Sequence, residues 1–415
     1  MPPDPGHPVR LDAVIFGGGA AGLWMLDGLL RSGRTALLVE RDALGAGQTV
    51  CAQGIIHGGL KYTLDGVLHR SASCIAEMPG IWRECLLGRR QPHLTATHIR
   101  AEHCYLWRTD SIASRLGMMG ARVGLRVRPK RINPAQLPPI LANVPGTVAQ
   151  LAEQVIDPVS LLADLAQQHE SHIIRCASDS ANSSAGASMI HDVEHVDHGV
   201  RSFILRDAET HQSCAIMPGN IILTAGAGNR ELMTTLGMQV IETQLRPLHM
   251  TMLRGELPEI NGHCVHGNRT RVTITSARDA QNRIVWQLGG QLAEDGVAMD
   301  TIALVKHARN EITTVLPDIA LDGTEWATYR IDRAEPATKG RRRPDDAVVV
   351  REGNIIAAWP TKLALVPRLA KMIRARMDDS SPSTISDTAN VASAFETWQR
   401  PQIAKPPWEW ATTFK

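Results

Sequence analysis

Apolar residues first gather at Ala13-Val14-Ile15-Phe16, a run stopped by glycines, after which Leu23, Leu26, Leu29 and Leu30 recur at helical spacing as far as Ser32-Gly33. A second apolar run, Ala36-Leu37-Leu38-Val39, ends at Glu40. Strand, turn, helix and strand joined this closely predict a strand-helix-strand unit and a parallel sheet. Further on, Asp157 can cap a helix whose first position is Pro158, and Leu161, Leu162 and Leu165 supply its apolar face. From 173 to 223 the pattern changes to short segments, among them Ile173-Ile174 and Phe203-Ile204-Leu205, and closes on the run Ile221-Ile222-Leu223. This predicts a strand meander that returns to the sheet. Residues 272–290 predict strands joined by the polar turn Ala280-Gln281-Asn282, and 301–316 a helix closed by Pro317. The stretch 378–390 is rich in Ser, Thr and Asp and predicts a linker. After it Trp398, Trp408 and Trp410 interleave with Pro401, Pro406 and Pro407, predicting a tail that docks on the body.

Size and charge narrow the picture. At 415 residues the chain exceeds what one core usually holds, so two regions sharing a cleft are expected. A formal net charge of +2 provides no global field for nucleic acid or an acidic membrane, and anion specificity has to come from a local site. The seven cysteines are scattered without a C-x-x-C pair, which predicts neither a disulfide framework nor a zinc site. The first eight residues lack the layout of a secretory signal. The apolar stretch 13–30 is interrupted by Gly17, Gly18, Gly19, Gly22 and Asp27, so it reads as two short elements rather than a membrane span. A soluble, cytoplasmic protein is expected, with membrane association by other means left open.

The strongest motif is Gly17-Gly18-Gly19-Ala20-Ala21-Gly22, which fits G-x-G-x-x-G between a strand and a helix. Glycines there permit a tight turn, let the backbone approach a pyrophosphate and allow close packing of helix on strand. The helix start then offers free N–H groups to the phosphates. Glu40, 18 residues beyond Gly22 at the tip of the next strand, is placed to hold ribose hydroxyls. This physics leaves NAD and FAD as alternatives.

The segment after Glu40, Arg41-Asp42-Ala43-Leu44-Gly45-Ala46-Gly47-Gln48-Thr49, resembles the D-amino-acid-oxidase-like superfamily of flavoenzymes, where it passes beneath the flavin pyrophosphate. Gln53-Gly54-Ile55-Ile56-His57-Gly58-Gly59-Leu60-Lys61-Tyr62 is similar to the I-H-G-G-L-R-Y motif of flavin-linked glycerol-3-phosphate dehydrogenases, and to L-2-hydroxyglutarate dehydrogenases. Softer matches are Val155-Ile156-Asp157-Pro158, Val193 on a strand that touches adenine in the family, and Thr224-Ala225-Gly226-Ala227-Gly228. Trp359-Pro360-Thr361-Lys362-Leu363 resembles the family's G-G-K-L-T-T segment at the flavin ring. Tyr329-Arg330-Ile331-Asp332 stands where the family has G-x-R-P, and Lys61 where it has Arg.

The resemblance implies FAD as cofactor. It points to Gly17, Gly19, Ala20, Ala21, Gly22 and Glu40 at the first turn, then Arg41, Gly47, Gln48 and Thr49, then Gln53 and Gly54. Val193, Ala225, Gly226, Thr361, Lys362 and Leu363 complete the expected cofactor contacts. For catalysis it points to His57, Lys61, Tyr62, Arg330 and Lys362: His57 as a base near its working pH, and the cations facing substrate or flavin. No metal is expected, since His191, His195 and His198 lack ligand pairing. The expected fold is α/β, a Rossmann-like FAD-binding domain with a parallel sheet plus a second α+β substrate domain with an antiparallel sheet over the flavin. The FAD-binding domain is expected to be discontinuous (10–80, 150–240 and 325–377), with 81–149 and 241–324 as substrate domain and 378–415 as linker and tail. The expected reaction is hydride transfer from a small anionic alcohol, of glycerol-3-phosphate or 2-hydroxy-acid type, to flavin, with oxygen, a quinone or a carrier protein as electron acceptor. An amine or amino-acid donor is the alternative, and a non-catalytic flavin-binding subunit the second.

Overall fold

The structure is a computed structural model in which residues 8–59, 74–109, 130–132, 137–144, 146–178, 189–197, 199–267, 269–377 and 388–411 are described. Val9–Phe16 lies inside the first sheet, between Ser213–Leu223 and Ala36–Glu40, with both pairings parallel. Ile355–Trp359 and Ile173–Arg175 continue the parallel order on either side. Residues 13–16 are at most 1% exposed, because helices or hairpins cover both faces, and this explains an unbroken apolar run rather than an alternating one. One face is covered by helices Ala20–Arg31, Pro158–Gln167 and Val366–Arg374. The other is covered by the hairpin Ile190–Val196 and Gly199–Arg206, the helix Asn229–Thr235, and Val391, Phe395 and Trp398 from the tail.

The second sheet has eight strands in the order Glu325–Pro336, Thr243–Gly255, Ile284–Gly289, Arg269–Arg278, Gly262–His266, Cys104–Arg108, Val148–Leu151 and Lys130–Arg131. All neighbours are antiparallel except Gly262–His266 with Cys104–Arg108. Helix Thr301–Val315, capped by Asp300 through the Ala303 N–H at 2.8 Å, lays Leu304, Ala308, Ile312 and Val315 against Trp107, Trp286 and Trp326 on one face. The opposite face looks toward the first sheet.

Two segments lie across the boundaries expected from sequence. Glu325–Pro336, allotted to the cofactor region, pairs along its whole length with Thr243–Gly255, from Arg254↔Glu325 to Thr243↔Pro336, and so edges the second sheet. Met78–Leu86, mostly allotted to the substrate region, packs with the first sheet's helices: Trp82 stands 4.8 Å from Trp24, and its Nε1–H donates to the Ala364 carbonyl at 3.1 Å. In both cases the partner that buries the apolar face is distant in sequence, so local pattern could not assign the segment.

The seam between the sheets is closed by the pair Ile99–Ala101 and Val155–Ile156 and by the tail. Asp157 accepts from the Ser160 N–H at 2.7 Å and pairs with Arg100, whose guanidinium lies 5.3 Å from the Trp408 ring. In the tail, the Gln402 carbonyl accepts from the Leu44 N–H at 2.8 Å and the Ala404 N–H returns a bond to the Leu44 carbonyl at 3.0 Å. Glu409 accepts from the Ala280 N–H at 3.0 Å, and Trp410 meets Tyr329 edge-on at 5.9 Å. The described tail from 391 to 411 is therefore docked, as its tryptophans suggest. Among the described residues no helix is long and apolar enough to cross a membrane.

Candidate active site

Three glycines of the first turn do different work. Gly17 has φ +104°, and a Cβ there would stand 2.6 Å from the Ala225 backbone; a Cβ on Gly22 would lie 2.0 Å from the Gly17 carbonyl oxygen. Gly17 is demanded by the close approach of the Ala225 segment and Gly22 by packing of the turn on its own helix. Gly19 has an ordinary φ of −76°, and its Cβ would meet only Thr49 Oγ1 at 3.2 Å, yet it borders the cavity. Its small size serves whatever fills that space. Helix Ala20–Arg31 begins at Gly19 without a side-chain cap, and its positive end faces the cavity, the arrangement that suits a pyrophosphate. Glu40 accepts from the Gly18 N–H at 2.6 Å and the Asp42 N–H at 3.0 Å. Burial pushes its carboxyl above the ordinary range while these N–H groups pull it back. One N–H on each oxygen leaves lone pairs for ribose hydroxyls.

From this turn a cavity of about 1100 Å³ extends to the second sheet, at the upper end of small-molecule sites (~300–1,000 Å³) and roomy enough for a dinucleotide beside a small donor. Its walls include Ala20, Ala21 and Glu40 at the turn and Arg41, Gly47, Gln48 and Thr49 along one side. Gln53 and Gly54 follow, with Ala225 and Gly226 opposite. Thr361, Lys362 and Leu363 border it just before helix Val366–Arg374. Gln53 also ties this wall to the antiparallel sheet, donating to the Gln287 carbonyl at 3.0 Å and the Thr273 carbonyl at 3.2 Å. Val193 is not part of the wall. It packs partly buried against the core beyond the first sheet, and Ser178 and Met189 border the cavity on that side. Lys61 and Tyr62 lie outside the described residues. Cys51 borders the cavity, but burial pushes its thiol up to about 12, so it is a packed thiol at neutral pH.

On the antiparallel side the structure shifts attention from Arg330 to Arg333. Arg330 borders the cavity, but its two amino groups donate to the carbonyls of Val297 at 3.0 Å and Met299 at 2.9 Å, so the fork expected to grip a substrate is occupied by backbone. Among the described residues Arg333 makes long contacts, 3.4 Å to the Arg246 carbonyl and 3.4 Å to Glu294. Burial, and then the neighbouring Arg246, push its guanidinium below its ordinary range. A cation so placed is relieved by an incoming anion. Alternation along Glu325–Pro336 puts Ile331 and Arg333 on the face opposite Arg330, and that alternation is the signal that sequence reading could have used.

Behind His57 stands a group that no local motif announces. Glu153 is 1% exposed; its Oε1 accepts from the Gly58 N–H at 2.6 Å, and its Oε2 lies 3.6 Å from His57 Nδ1 and 3.7 Å from His263 Nε2. His263 is fully buried, with Nδ1 2.9 Å from Thr273 Oγ1, and Thr273, like His57, borders the cavity. Burial alone would raise the Glu153 carboxyl, but the two imidazoles outweigh it and hold it far below the ordinary carboxylate range.

Comparison with known proteins agrees with this geometry. Residues 12–356 match the family described as DAO, FAD dependent oxidoreductase. A probable FAD-dependent oxidoreductase of Pseudomonas aeruginosa is 37% identical over 410 residues, covering 96% of this chain and 97% of the relative. The crystal structure of the FAD dependent oxidoreductase from that organism superposes with a TM-score of 0.76 at 32% identity, covering 97% of this chain and 98% of the other. The fold extends to L-amino acid deaminase of Proteus vulgaris (TM-score 0.62, 13% identity, 93% and 94% coverage). It extends also to FAD-bound L-alpha-glycerophosphate oxidase of Mycoplasma pneumoniae (TM-score 0.60, 12% identity, 96% and 97% coverage). With a phosphate-ready glycine turn, a ribose-ready carboxylate and a family match over most of its length, the chain belongs to the DAO family of FAD-dependent oxidoreductases.

Proposed function

We propose that this enzyme oxidises a small anionic donor at a carbon bearing a hydroxyl, of the glycerol phosphate or 2-hydroxy-acid class. The observation that carries this reading is His57 on the cavity wall with a buried carboxylate behind it. An alcohol holds its proton tightly and needs a base as the C–H bond breaks, whereas a neutral amine can give up hydride without one. FAD, which the glycine turn and the Lys362 segment would hold, would supply the two-electron acceptor for the hydride leaving the donor carbon. The donor C–H bond breaks with its electron pair, the hydroxyl proton passes to His57, and a carbonyl product remains. Arg333 orients the donor's anionic group, and Lys362 would stabilise the negative charge that a reduced flavin carries. The first sheet and its helices form the cofactor domain and the antiparallel sheet the substrate domain. We place the enzyme in the cytoplasm, in keeping with seven cysteines none of which is in a disulfide.

Anaerobic bleaching of the bound flavin tests the reading. Anionic hydroxyl compounds are expected to bleach it, and His57→Asn to slow that reduction about 100-fold or more. Bleaching only by amines or amino acids would overturn the proposal in favour of an amine oxidase. Reoxidation of the bleached protein by oxygen, a quinone or a carrier protein then identifies the acceptor.

A further inference from the structure

We propose that Glu153 and His263 are positioning residues for His57: Glu153 turns the ring and balances the charge it acquires, and His263 supplies the countercharge that keeps His57 neutral at rest. The inference rests on the reading of His57 as the proton acceptor. The geometry is that of one carboxylate oxygen standing between two imidazoles, at 3.6 Å and 3.7 Å, with ring centroids 5.4 Å apart. His57 Nδ1 faces Glu153, so the donor's proton is assigned to Nε2. A buried carboxylate beside a single histidine would favour its imidazolium and spoil it as a base. The second imidazole removes that difficulty: with the resting proton on His263, Glu153 is neutralised and His57 can accept. His263 is held for this role by Thr273 Oγ1 at its other nitrogen, and Glu153 by the Gly58 N–H. Both are sealed from solvent, so the charges act in a medium that screens them little.

The other charged groups on the donor-side walls are Arg269, Glu294, Arg330, Asp332, Arg333, Arg343 and Lys362. They are unchanged in the variants, so shifts between variants report the triad alone. The experiment is the pH dependence of anaerobic flavin reduction in the FAD-loaded enzyme. Glu153→Gln removes the negative charge and should move the acid limb to lower pH, by about one unit or more. His263→Asn exposes His57 to an unbalanced carboxylate and should move the same limb to higher pH. Glu153→Asp should restore part of the wild-type rate and return the limb toward its original position, whereas a merely structural role would lower rates without opposed shifts. Limbs that stay in place in both variants while His57→Asn is slow would overturn the inference and leave the proposed function standing. A His57→Asn enzyme as fast as the wild type would overturn both. A stoichiometric metal ion in the purified protein, lost together with activity in Glu153→Gln, would overturn the triad's proton role. Should His263→Asn fail to fold, His263→Gln carries the same comparison.

Discussion

At the glycine turn the cavity wall is mostly backbone: an uncapped helix start, glycines without Cβ atoms, and one carboxylate held by two N–H groups. At the antiparallel sheet the wall is built from side chains, with Arg333, Thr273 and, at the junction, His57 delivered by strands and loops far apart in sequence. Backbone recognition needs a contiguous stretch of chain in one conformation, so it suits a cofactor shared by a whole family. Side-chain recognition can be altered one residue at a time without disturbing the sheet that carries it, so donor specificity can change on an unchanged frame.

The sharpest break between the two ends is expected from Gly19→Val. The substitution leaves an allowed φ and meets little of the protein, but fills the space over the helix start. Purified variant should be colourless, with FAD affinity at least about 100-fold weaker, while thermal unfolding of the apoprotein moves little. Full flavin occupancy by absorbance would show that this turn is not where the pyrophosphate sits. At the other end, Arg333→Met should leave the protein yellow and raise the apparent KM for an anionic donor about 10- to 100-fold, for a lost charged hydrogen bond of roughly 1.5–3 kcal/mol. Arg330→Met should change KM little and lower the melting temperature instead, because its bonds hold the Val297 and Met299 carbonyls. The reverse pattern in steady-state kinetics would return the substrate role to Arg330.

The smallest effect probes the seam. Burial alone would raise the Asp157 carboxyl, but Arg100 and the Ser160 and Val159 N–H groups outweigh it and hold it below its ordinary range. A carboxyl depressed by folding contributes its full stability above the unfolded-state value and loses it as pH falls through the lower folded value. Asp157→Asn should therefore cost about 1–2 kcal/mol at neutral pH, a gap that narrows on acidification below roughly pH 4. Flavin content and KM should be unchanged. Chemical unfolding across pH measures this, and loss of flavin on substitution would mean that the seam and the cofactor end are one unit.

The same contrast explains what sequence could disclose. Gly17, Gly22 and Glu40 announce themselves because turn, helix start and strand tip lie within one short unit whose periodicity is visible. The antiparallel sheet was legible as strands in 272–290, but not its membership: Glu325–Pro336 joins it through a partner some eighty residues earlier. Val193 was expected at adenine because its strand matched the family's; the two register shifts in that hairpin lie between sequence and the final direction of the side chain. Glu153 and His263 carry no pattern of their own. A carboxylate between Ala152 and Gln154 acquires meaning only when Gly58 and two imidazoles close around it, contacts spanning 95 residues and more.

The tail that pairs with Leu44 has a consequence for how the enzyme comes into being. Leu44 and the wall it supports, which includes Gly45, Ala46 and Gly47, are made well before Gln402 and Ala404, which bond its backbone. Ile355–Trp359, which completes the parallel sheet beside Ser213–Leu223, also comes late. During synthesis the glycine turn therefore precedes its outer supports, and the wall around it is complete only once those later segments have followed.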